Sequence, residues 1–270
     1  MSSITKLTTV FESLASMRLA QTKDQVLHSQ AFFDELWGMY SQMRVDSLFR
    51  FGRQDGVAKI DKELYIAITA EGGFSGDIDQ KLISWMIKQH DPAKQDIVII
   101  GHHGAVQLAQ AGIKYKKYFK LPQHDQNINV VPLVEQISQY KSTTVFYQTY
   151  VSLMVQDIKK IALQTAVQEA GERATGKDTD VISEQSYIFE PDSYAVIAHL
   201  ERSMLNIALG QTILESKLAQ YASRFRSMSA SKERATDAQK DLSLAFYRAK
   251  RSAADERLKE IIGSIRKAAA

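Results

Sequence analysis

The C-terminal part of the chain, from about residue 192 to residue 270, has a hydrophobic pattern that repeats every seven residues. This segment contains no proline and only two glycines, Gly210 and Gly263. Apolar residues fill most positions of two interleaved sets, which is typical of a coiled-coil seam. The seam is made by Leu200, Met204, Ile207, Leu214, Leu218, Tyr221 and Phe225. The pattern predicts one helix about 110 Å long, which must project from any compact domain that the rest of the chain forms.

The same seam weakens beyond Met228. Alanines take over several of its positions, with only Leu242 and Phe246 as large members. A second group of apolar residues then follows in a different phase: Leu258, Ile261, Ile262 and Ile265. This half is a poor coiled coil by itself. We therefore expect the surface of another protein to hold it.

The N-terminal 47 residues show a second helical pattern, again without proline. Apolar residues recur every three to four positions, beginning with Ile4, Leu7, Phe11, Leu14 and Met17. Two long amphipathic helices at opposite ends of a chain can each cover the apolar stripe of the other. The pattern predicts an antiparallel coiled-coil shaft from residues 1–50 and 191–270, with residues 51–190 as a separate central domain.

Short β-rich runs alternate with helical runs in residues 52–191, which also contain all four prolines. We predict strands at residues 64–69, 96–101, 143–147 and 186–190, with helices at 77–89, 105–111 and 131–140. Alternating strands and helices indicate a mostly parallel sheet with helices on its faces. The predicted fold class is therefore α/β, with a Rossmann-like central domain and a long antiparallel coiled coil.

The charged residues are distributed unevenly along the chain. The formal net charge is only +3, too small to indicate a nucleic-acid partner. From Gln220 onward, however, twelve Lys and Arg residues stand against six Asp and Glu. The projecting end is thus basic, which favours an acidic protein partner there. The chain has no cysteine, which excludes disulfides, thiolate metal sites and a cysteine nucleophile.

Two motifs are candidates for a phosphate or metal site. The run from Glu71 to Asp77 lies between a strand and a helix, where a phosphate could bind. Its glycine spacing fits neither a P-loop nor a dinucleotide fingerprint, and Asp77 would repel a phosphate. The adjacent His102 and His103 would point in different directions, so a metal would need distant ligands. We therefore predict no catalytic, cofactor-binding or metal-binding residues. The alternative is a stand-alone α/β nucleotide-binding module with a coiled-coil dimerisation arm.

Several short segments of the chain have distinctive sequences. The run Tyr187-Ile188-Phe189-Glu190-Pro191 stands directly before the long helix. Within the helix lie Ala222-Ser223-Arg224-Phe225, Ala235-Thr236-Asp237 and the run from Asp241 to Lys250, and the central region contains the runs from Ile68 to Gly76 and from Thr144 to Ser152. These segments resemble motifs of the gamma subunit of F-type rotary ATP synthases. The resemblance covers the whole chain in order and is strongest in the last 85 residues.

The resemblance implies a non-catalytic rotor subunit in the central stalk. It would couple rotation of the membrane c-ring, driven by proton or sodium flow, to ATP synthesis or hydrolysis at the beta subunits. The implied partners are alpha, beta and epsilon subunits and the c-ring, with no nucleic acid and no bound small molecule. The implied location is the cytoplasmic face of a bacterial plasma membrane, as a peripheral subunit.

The resemblance also implies roles for residues of the long helix. Contacts to beta subunits would come from Arg224, Arg226, Arg248, Lys250, Arg251, Asp255 and Arg257. Leu258, Ile261, Ile262 and Ile265 would turn in an apolar bearing of the alpha–beta hexamer. The chain departs from the family pattern at Asp255 and Arg257, where the family has Thr and Glu, so a divergent member is expected.

Overall fold

Two long helices dominate the structure. The computed structural model describes residues 2–43, 60–121, 128–163, 190 and 193–268. Helix α1 spans Ser2–Met43 and helix α5 spans Ser193–Ala268. At about 1.5 Å per residue, the 76 residues of α5 extend over about 110 Å. The predicted projecting helix is therefore present, and it begins at the first described residue after Pro191.

The two helices pack side by side in opposite directions. Near the start of α1, the Thr5 hydroxyl donates a hydrogen bond to Gln239 over 3.4 Å. About two turns further along α1, Glu12 forms an ion pair of 2.8 Å with Lys232. Contacts thus move towards lower residue numbers in α5 as they move towards higher numbers in α1. This confirms the antiparallel helix pair.

Between the helices the chain forms one five-stranded sheet with the order β3-β2-β1-β4-β5. The strands are β1 (Ile60–Ile68), β2 (Gln95–Ile100), β3 (Lys117–Phe119), β4 (Tyr140–Tyr150) and β5 (Gln156–Ala162). The first four run parallel, and β5 pairs antiparallel with β4 at one edge. The carboxyl ends of β1, β2 and β4 therefore meet at one edge of the domain.

Helices cover both faces of the sheet. Helices α2 (Ile78–Gln89) and α3 (His102–Gln110) pack on one face, with Leu82, Met86 and Leu108 fully buried. Helix α4 (Val131–Ile137) and the middle of α5 cover the other face, where Leu209 and Ile213 join the core. Because both faces are covered, the central strands are continuous apolar runs. This confirms the Rossmann-like α/β domain.

The middle of α5 is more deeply buried than a coiled-coil seam requires. All residues from 216 to 220 are buried, because α1 lies on one side of the helix and the sheet on another. The predicted seam residues Met204, Leu214 and Leu218 are buried, while Leu200, Ile207, Tyr221 and Phe225 are half-buried. The helix therefore serves as shaft and as part of the domain core.

The sequence pattern missed some features of the sheet. Strands β3 and β5 were not predicted, because their side chains are largely exposed and lack an apolar run. The helix predicted to reach Tyr140 ends at Ile137, since Tyr140 already pairs with Ile60 in the sheet. The strand predicted at 186–190 and the end of the first helix at 44–47 lie outside the described residues, apart from Glu190.

Candidate functional site

The carboxyl edge of the sheet meets α5 in a junction built of polar side chains. Its centre is Asp79, in the first turn of α2, which is only 2% exposed. The side chain accepts hydrogen bonds from the backbone N–H of Ala70 (3.3 Å) and from Gln148 Nε2 (2.7 Å). His103 Nδ1 donates to the same carboxylate over 2.9 Å. A buried carboxylate needs such partners, because burying an unpaired charge is costly.

The backbone around Asp79 is held by a close approach of two strand ends. Gly101, which follows β2, has a φ of 96°, and a Cβ there would lie 2.0 Å from the Thr69 carbonyl oxygen. Only glycine fits that backbone. The Thr69 hydroxyl donates to the Ile100 carbonyl oxygen over 2.9 Å, and it accepts from the backbone N–H of Gly104. These contacts bring the start of α3, with His103, next to Asp79.

Gln148, on strand β4, connects Asp79 to α5 by hydrogen bonds. While its Nε2 donates to Asp79, its Oε1 accepts hydrogen bonds from the Ser216 hydroxyl and from Gln220 Nε2. All three side chains are buried. A continuous path of hydrogen bonds therefore joins α2, β4 and the long helix. Since an unpaired buried polar group costs about 1–3 kcal/mol, the members of this path hold each other in place.

Further contacts fasten α5 to the turn between β1 and α2. The Ser223 hydroxyl donates to the Ser75 carbonyl oxygen over 2.6 Å. One residue later, the Arg224 guanidinium donates to the carbonyl oxygens of Gly73 (3.1 Å) and Gly72 (3.2 Å). Burial lowers the pKa of Arg224, although Tyr221 and Asp79 act in the opposite direction. The group keeps its charge, since arginine titrates above about pH 12.

Two more contacts extend the junction across β4 and β5. The Thr149 hydroxyl donates to the carboxylate of Glu215. Arg226 donates to the carbonyl oxygen of Met154, in the loop between β4 and β5, over 3.0 Å. Burial, with a smaller contribution from Glu215, raises the pKa of Tyr147 to about 12, so its hydroxyl stays protonated. We call the contacts from Asp79 through Gln148 to Ser216, Gln220, Ser223, Arg224 and Arg226 the helix–sheet junction.

The two motifs that were candidates for chemistry form hydrogen bonds within the chain. The carbonyl oxygens of Gly72 and Gly73, in the turn considered for phosphate, accept hydrogen bonds from Arg224. The two adjacent histidines point to different partners: His103 to Asp79, and His102 through its backbone N–H to Glu71. Within the described residues, no group of three or more His, Cys, Asp or Glu side chains could hold a metal ion.

The residues predicted to bind partner subunits fall into two sets. Arg224 and Arg226 lie in the helix–sheet junction and hydrogen-bond within the chain. The others lie on the far end of α5, where every residue from 240 to 265 is exposed. That set comprises Arg248, Lys250, Arg251, Asp255 and Arg257 and the predicted bearing residues Leu258, Ile261, Ile262 and Ile265. The structure thus brings the second set together on one free-standing segment.

Sequence reasoning missed most of the helix–sheet junction. No role was predicted for Asp79, Gln148, Ser216, Gln220 or Ser223, although Gln148 and Ser223 lie within segments that resemble family motifs. One signal was available in the spacing of Ser216, Gln220 and Ser223, which places three polar residues on one face of the helix. Such a face inside a buried stretch indicates a polar partner.

Comparisons with known proteins place this architecture in a family. A family model described as ATP synthase matches residues 1–266. Two curated relatives, the ATP synthase gamma chains of Staphylococcus aureus strains JH9 and MRSA252, are each 24% identical over 219 residues. The match covers 76% of this chain and 73% of each relative. The chain belongs to the ATP synthase gamma family.

Solved structures share the fold of this gamma family member. A central-stalk and c-ring structure of the Tetrahymena thermophila mitochondrial ATP synthase contains a chain with a TM-score of 0.62 and 12% identity. The likeness covers 83% of this chain and 98% of that one. A chain of the Euglena gracilis mitochondrial ATP synthase gives a TM-score of 0.56 and 14% identity, covering 94% and 93%.

Membership in the gamma family gives the chain its role. It is a non-catalytic subunit of ATP synthase and part of the central stalk. This confirms the prediction of a rotor-type subunit over the alternative of a nucleotide-binding module. As a subunit of a membrane-bound complex it is peripheral. None of the helices in the described part of the chain is long and apolar enough to cross a membrane.

Proposed function

We propose that the far end of α5 enters the catalytic hexamer of alpha and beta subunits, and that the α/β domain stands on the c-ring. Rotation of the c-ring, driven by protons or sodium ions, would then turn α1 and α5 together inside the hexamer. The turning shaft would change the beta sites in sequence during ATP synthesis or hydrolysis. The epsilon subunit would bind the α/β domain, at the cytoplasmic face of a bacterial plasma membrane.

The exposed end of α5 carries this proposal. The first residues of α1 contact α5 near Gln239, where Thr5 forms a hydrogen bond, and every residue from 240 to 265 is exposed. Eight large apolar side chains are nevertheless placed there, each between 46% and 63% exposed. They are Leu242, Leu244, Phe246, Tyr247, Leu258, Ile261, Ile262 and Ile265. Such a concentration of exposed apolar surface marks a binding surface for another protein.

The charges of this segment agree with the proposal. Between residues 240 and 265 there are six basic residues, Lys240, Arg248, Lys250, Arg251, Arg257 and Lys259, and four acidic ones. Arg248 and Arg251 are three residues apart, so they share one face of the helix and form one positive region there, while Lys250 lies on another face. An acidic loop on a beta subunit would complement this region. Leu258 to Ile265 would then lie deeper, in an apolar bearing.

In this proposal the helix–sheet junction transmits torque between α5 and the α/β domain. A shaft that turns against resistance must pass torque to the domain that holds it. The buried hydrogen bonds through Gln148 and the contacts of Ser223 and Arg224 resist sliding of α5 over the sheet. Tightly packed, hydrogen-bonded interfaces deform little. We therefore assign Arg224 and Arg226 to torque transfer within the chain, with contacts to beta subunits as a further prediction.

Substitution in the far end of α5 tests the proposal. The double variant Ile261→Asp/Ile262→Asp places two charges where an apolar bearing is proposed, so binding to the alpha–beta hexamer should weaken at least about tenfold. The matched control is Ser252→Asp/Ala254→Asp, which adds the same charge to the same exposed helix. Both variants should keep the helix content and thermal stability of the unaltered chain, because all four positions are exposed.

The measurement is co-purification of the chain with alpha and beta subunits, followed by ATPase activity of the complex. The proposal expects loss of assembly for Ile261→Asp/Ile262→Asp and near-normal assembly for the control. Equal assembly and activity in both variants would contradict a bearing at this position.

A further inference from the structure

The turn between β1 and α2 is held to α5 by its backbone. The carbonyl oxygens of Gly72 and Gly73 both accept hydrogen bonds from Arg224. Further along the turn, the carbonyl oxygen of Ser75 accepts a hydrogen bond of 2.6 Å from the Ser223 hydroxyl. The residues on both sides of position 74 are therefore bound to the same helix.

The side chain at position 74 contacts the other helix of the shaft. The ring of Phe74 packs against the ring of Phe11 in α1, with 5.4 Å between the ring centroids. Aromatic pairs at such distances stabilise a protein by more than the area they bury. Two polar contacts of α1, at Lys232 and Gln239, reach α5, whereas the Phe11–Phe74 pair joins α1 directly to the α/β domain.

Phe74 has a backbone conformation that favours glycine. Its φ is 70°, and no other non-glycine residue in the described part of the chain has a positive φ. This conformation is strained for a residue with a Cβ, whereas glycine adopts it freely. The ring is 59% exposed, so burial in a core does not explain its presence. Strained residues are retained where they serve a contact or a function, and the contact of this ring is with α1.

Beside this contact, α1 and the turn are separated by an open cavity of about 460 Å³. Leu14 and Arg18 line the cavity from α1, and Phe74 lines it from the turn. Where side chains do not interlock, two elements can shift against each other at low cost. A ring that spans the space between α1 and the turn limits such a shift.

We propose that Phe74 is a positioning residue that fixes α1 relative to the α/β domain by packing on Phe11. The left-handed backbone at Phe74 places the ring against α1, while the carbonyl groups around it bind α5. Residues 72–75 thus hold both helices of the shaft at one level. The consequence that this turn passes torque to both helices rests on the proposed rotor function; the contact itself does not.

A double-mutant cycle tests whether the two rings interact. Phe11→Ala, Phe74→Ala and the double variant are unfolded with urea as full chains. We expect the combined loss to be smaller than the sum of the single losses, by a factor of about 2 to 12 in the unfolding equilibrium. Phe74→Tyr retains the ring and can place its hydroxyl in solvent, so it should unfold like the unaltered chain. Additive losses in the cycle would overturn the proposal.

Replacement by glycine separates the ring from the backbone strain. Phe74→Gly removes the ring and also releases the strain, whereas Phe74→Ala removes the ring alone. We therefore expect Phe74→Gly to be the more stable of the two. The same pair of changes at Gln80, an exposed position of α2, should give the usual order, with alanine more stable than glycine. Greater stability of Phe74→Ala would contradict the strained conformation assigned to Phe74.

The position of α1 is measured by time-resolved fluorescence energy transfer at nanomolar concentration. Dyes on Ser13→Cys and Gln80→Cys report the distance from α1 to the α/β domain, and dyes on Glu233→Cys and Gln80→Cys report the distance from α5. We expect Phe74→Gly to broaden the first distance distribution and to leave the second unchanged. The control is Phe246→Ala, which removes a similarly exposed ring from the far end of α5 and should change neither.

Phe74→Tyr should give the same two distributions as the unaltered chain, because the ring contact is retained. An α1 distribution that stays as narrow in Phe74→Gly as in the unaltered chain would overturn the proposal. Both measurements use the full chain without partner subunits, so a failure of the rotor proposal would leave their outcome unchanged.

Discussion

At the residue scale, Gln148 links more of the molecule than any other side chain of the helix–sheet junction. It is fully buried, it donates to Asp79, and it accepts from Ser216 and Gln220. An amide is well suited to this position, because it offers a donor to a carboxylate on one side and an acceptor to a helix on the other. A carboxylate could satisfy only the helix side, and an apolar residue could satisfy neither.

Replacing Gln148 by leucine should be strongly destabilising. The change keeps the approximate volume but leaves the Asp79 carboxylate and the Ser216 hydroxyl each without one partner. We expect a loss of about 2–4 kcal/mol in the free energy of unfolding, measured by urea denaturation. Gln80→Leu, on the exposed side of α2, is the control and should change stability by less than about 0.5 kcal/mol. A similar small change for both variants would contradict the importance assigned to this network.

His103 gives the helix–sheet junction a dependence on pH. Its hydrogen bond to Asp79 raises its pKa; burial and Arg224 lower it, and Glu71 raises it. Because the folded pKa lies above the unfolded value of about 6.5, protonated His103 favours the folded state. This contribution is fully present below about pH 6.5 and is lost as the pH rises through the folded pKa. The imidazole is partly exposed, so the effect should stay below about 1 kcal/mol.

The test compares the unaltered chain with His103→Gln across pH. We expect the difference in unfolding free energy between the two to be larger at pH 6 than at pH 8.5. The control is Gln80→Leu at an exposed position of α2, which removes no titratable group and should show no such trend. A difference for His103→Gln that grows from pH 6 to pH 8.5 would reverse the sign and refute the assignment.

At the element scale, α5 changes its surroundings along its length. Its first part packs against the sheet and α1, its middle is enclosed, and its last part from residue 240 is exposed. The seven-residue pattern predicted the first and last parts because hydrophobic periodicity reports on continuous helical stripes. It could not predict the enclosed middle, since contact with the sheet depends on residues far away in sequence.

The same reasoning explains which strands and contacts of the central domain the sequence pattern did not predict. Strands β1, β2 and β4 are long and buried, so their apolar runs were recognisable. Strands β3 and β5 lie at the edges, where a strand needs few apolar side chains. The helix–sheet junction joins Asp79 to Gln148, 69 positions later, and Gln148 to Ser216, 68 positions after that. Only the fold brings such residues together.

Truncation separates the enclosed part of α5 from its exposed end. A chain that ends after Gln239 should keep its thermal midpoint within about 2 °C, because every removed residue from 240 to 265 is exposed. It should also fail to bind the alpha–beta hexamer. A chain that ends after Ala219 is the contrasting variant, since it loses Gln220, Ser223 and Arg224 and should unfold far more easily. Thermal unfolding followed by circular dichroism distinguishes these outcomes, and a large drop for the first truncation would contradict the account.

At the scale of the whole molecule, the chain combines an α/β domain with a shaft that extends beyond it. The helix–sheet junction fixes one to the other, and the family identifies the result as a subunit of the ATP synthase central stalk. The far end of α5 carries basic residues and also large apolar side chains that are exposed to solvent. We therefore expect the isolated chain to self-associate or bind other proteins until alpha and beta subunits cover that end.

The chain offers a direct way to find what holds the end of α5, because it contains no cysteine. A single Ile261→Cys substitution can carry a photoreactive cross-linker, with Gln80→Cys on the α/β domain as the control. We expect the assembled complex to yield cross-links from position 261 to alpha and beta subunits and to lose ATPase activity on illumination, while position 80 yields neither. Complexes that assemble and hydrolyse ATP without any cross-link from position 261 to alpha or beta would contradict the placement of this helix inside the catalytic hexamer.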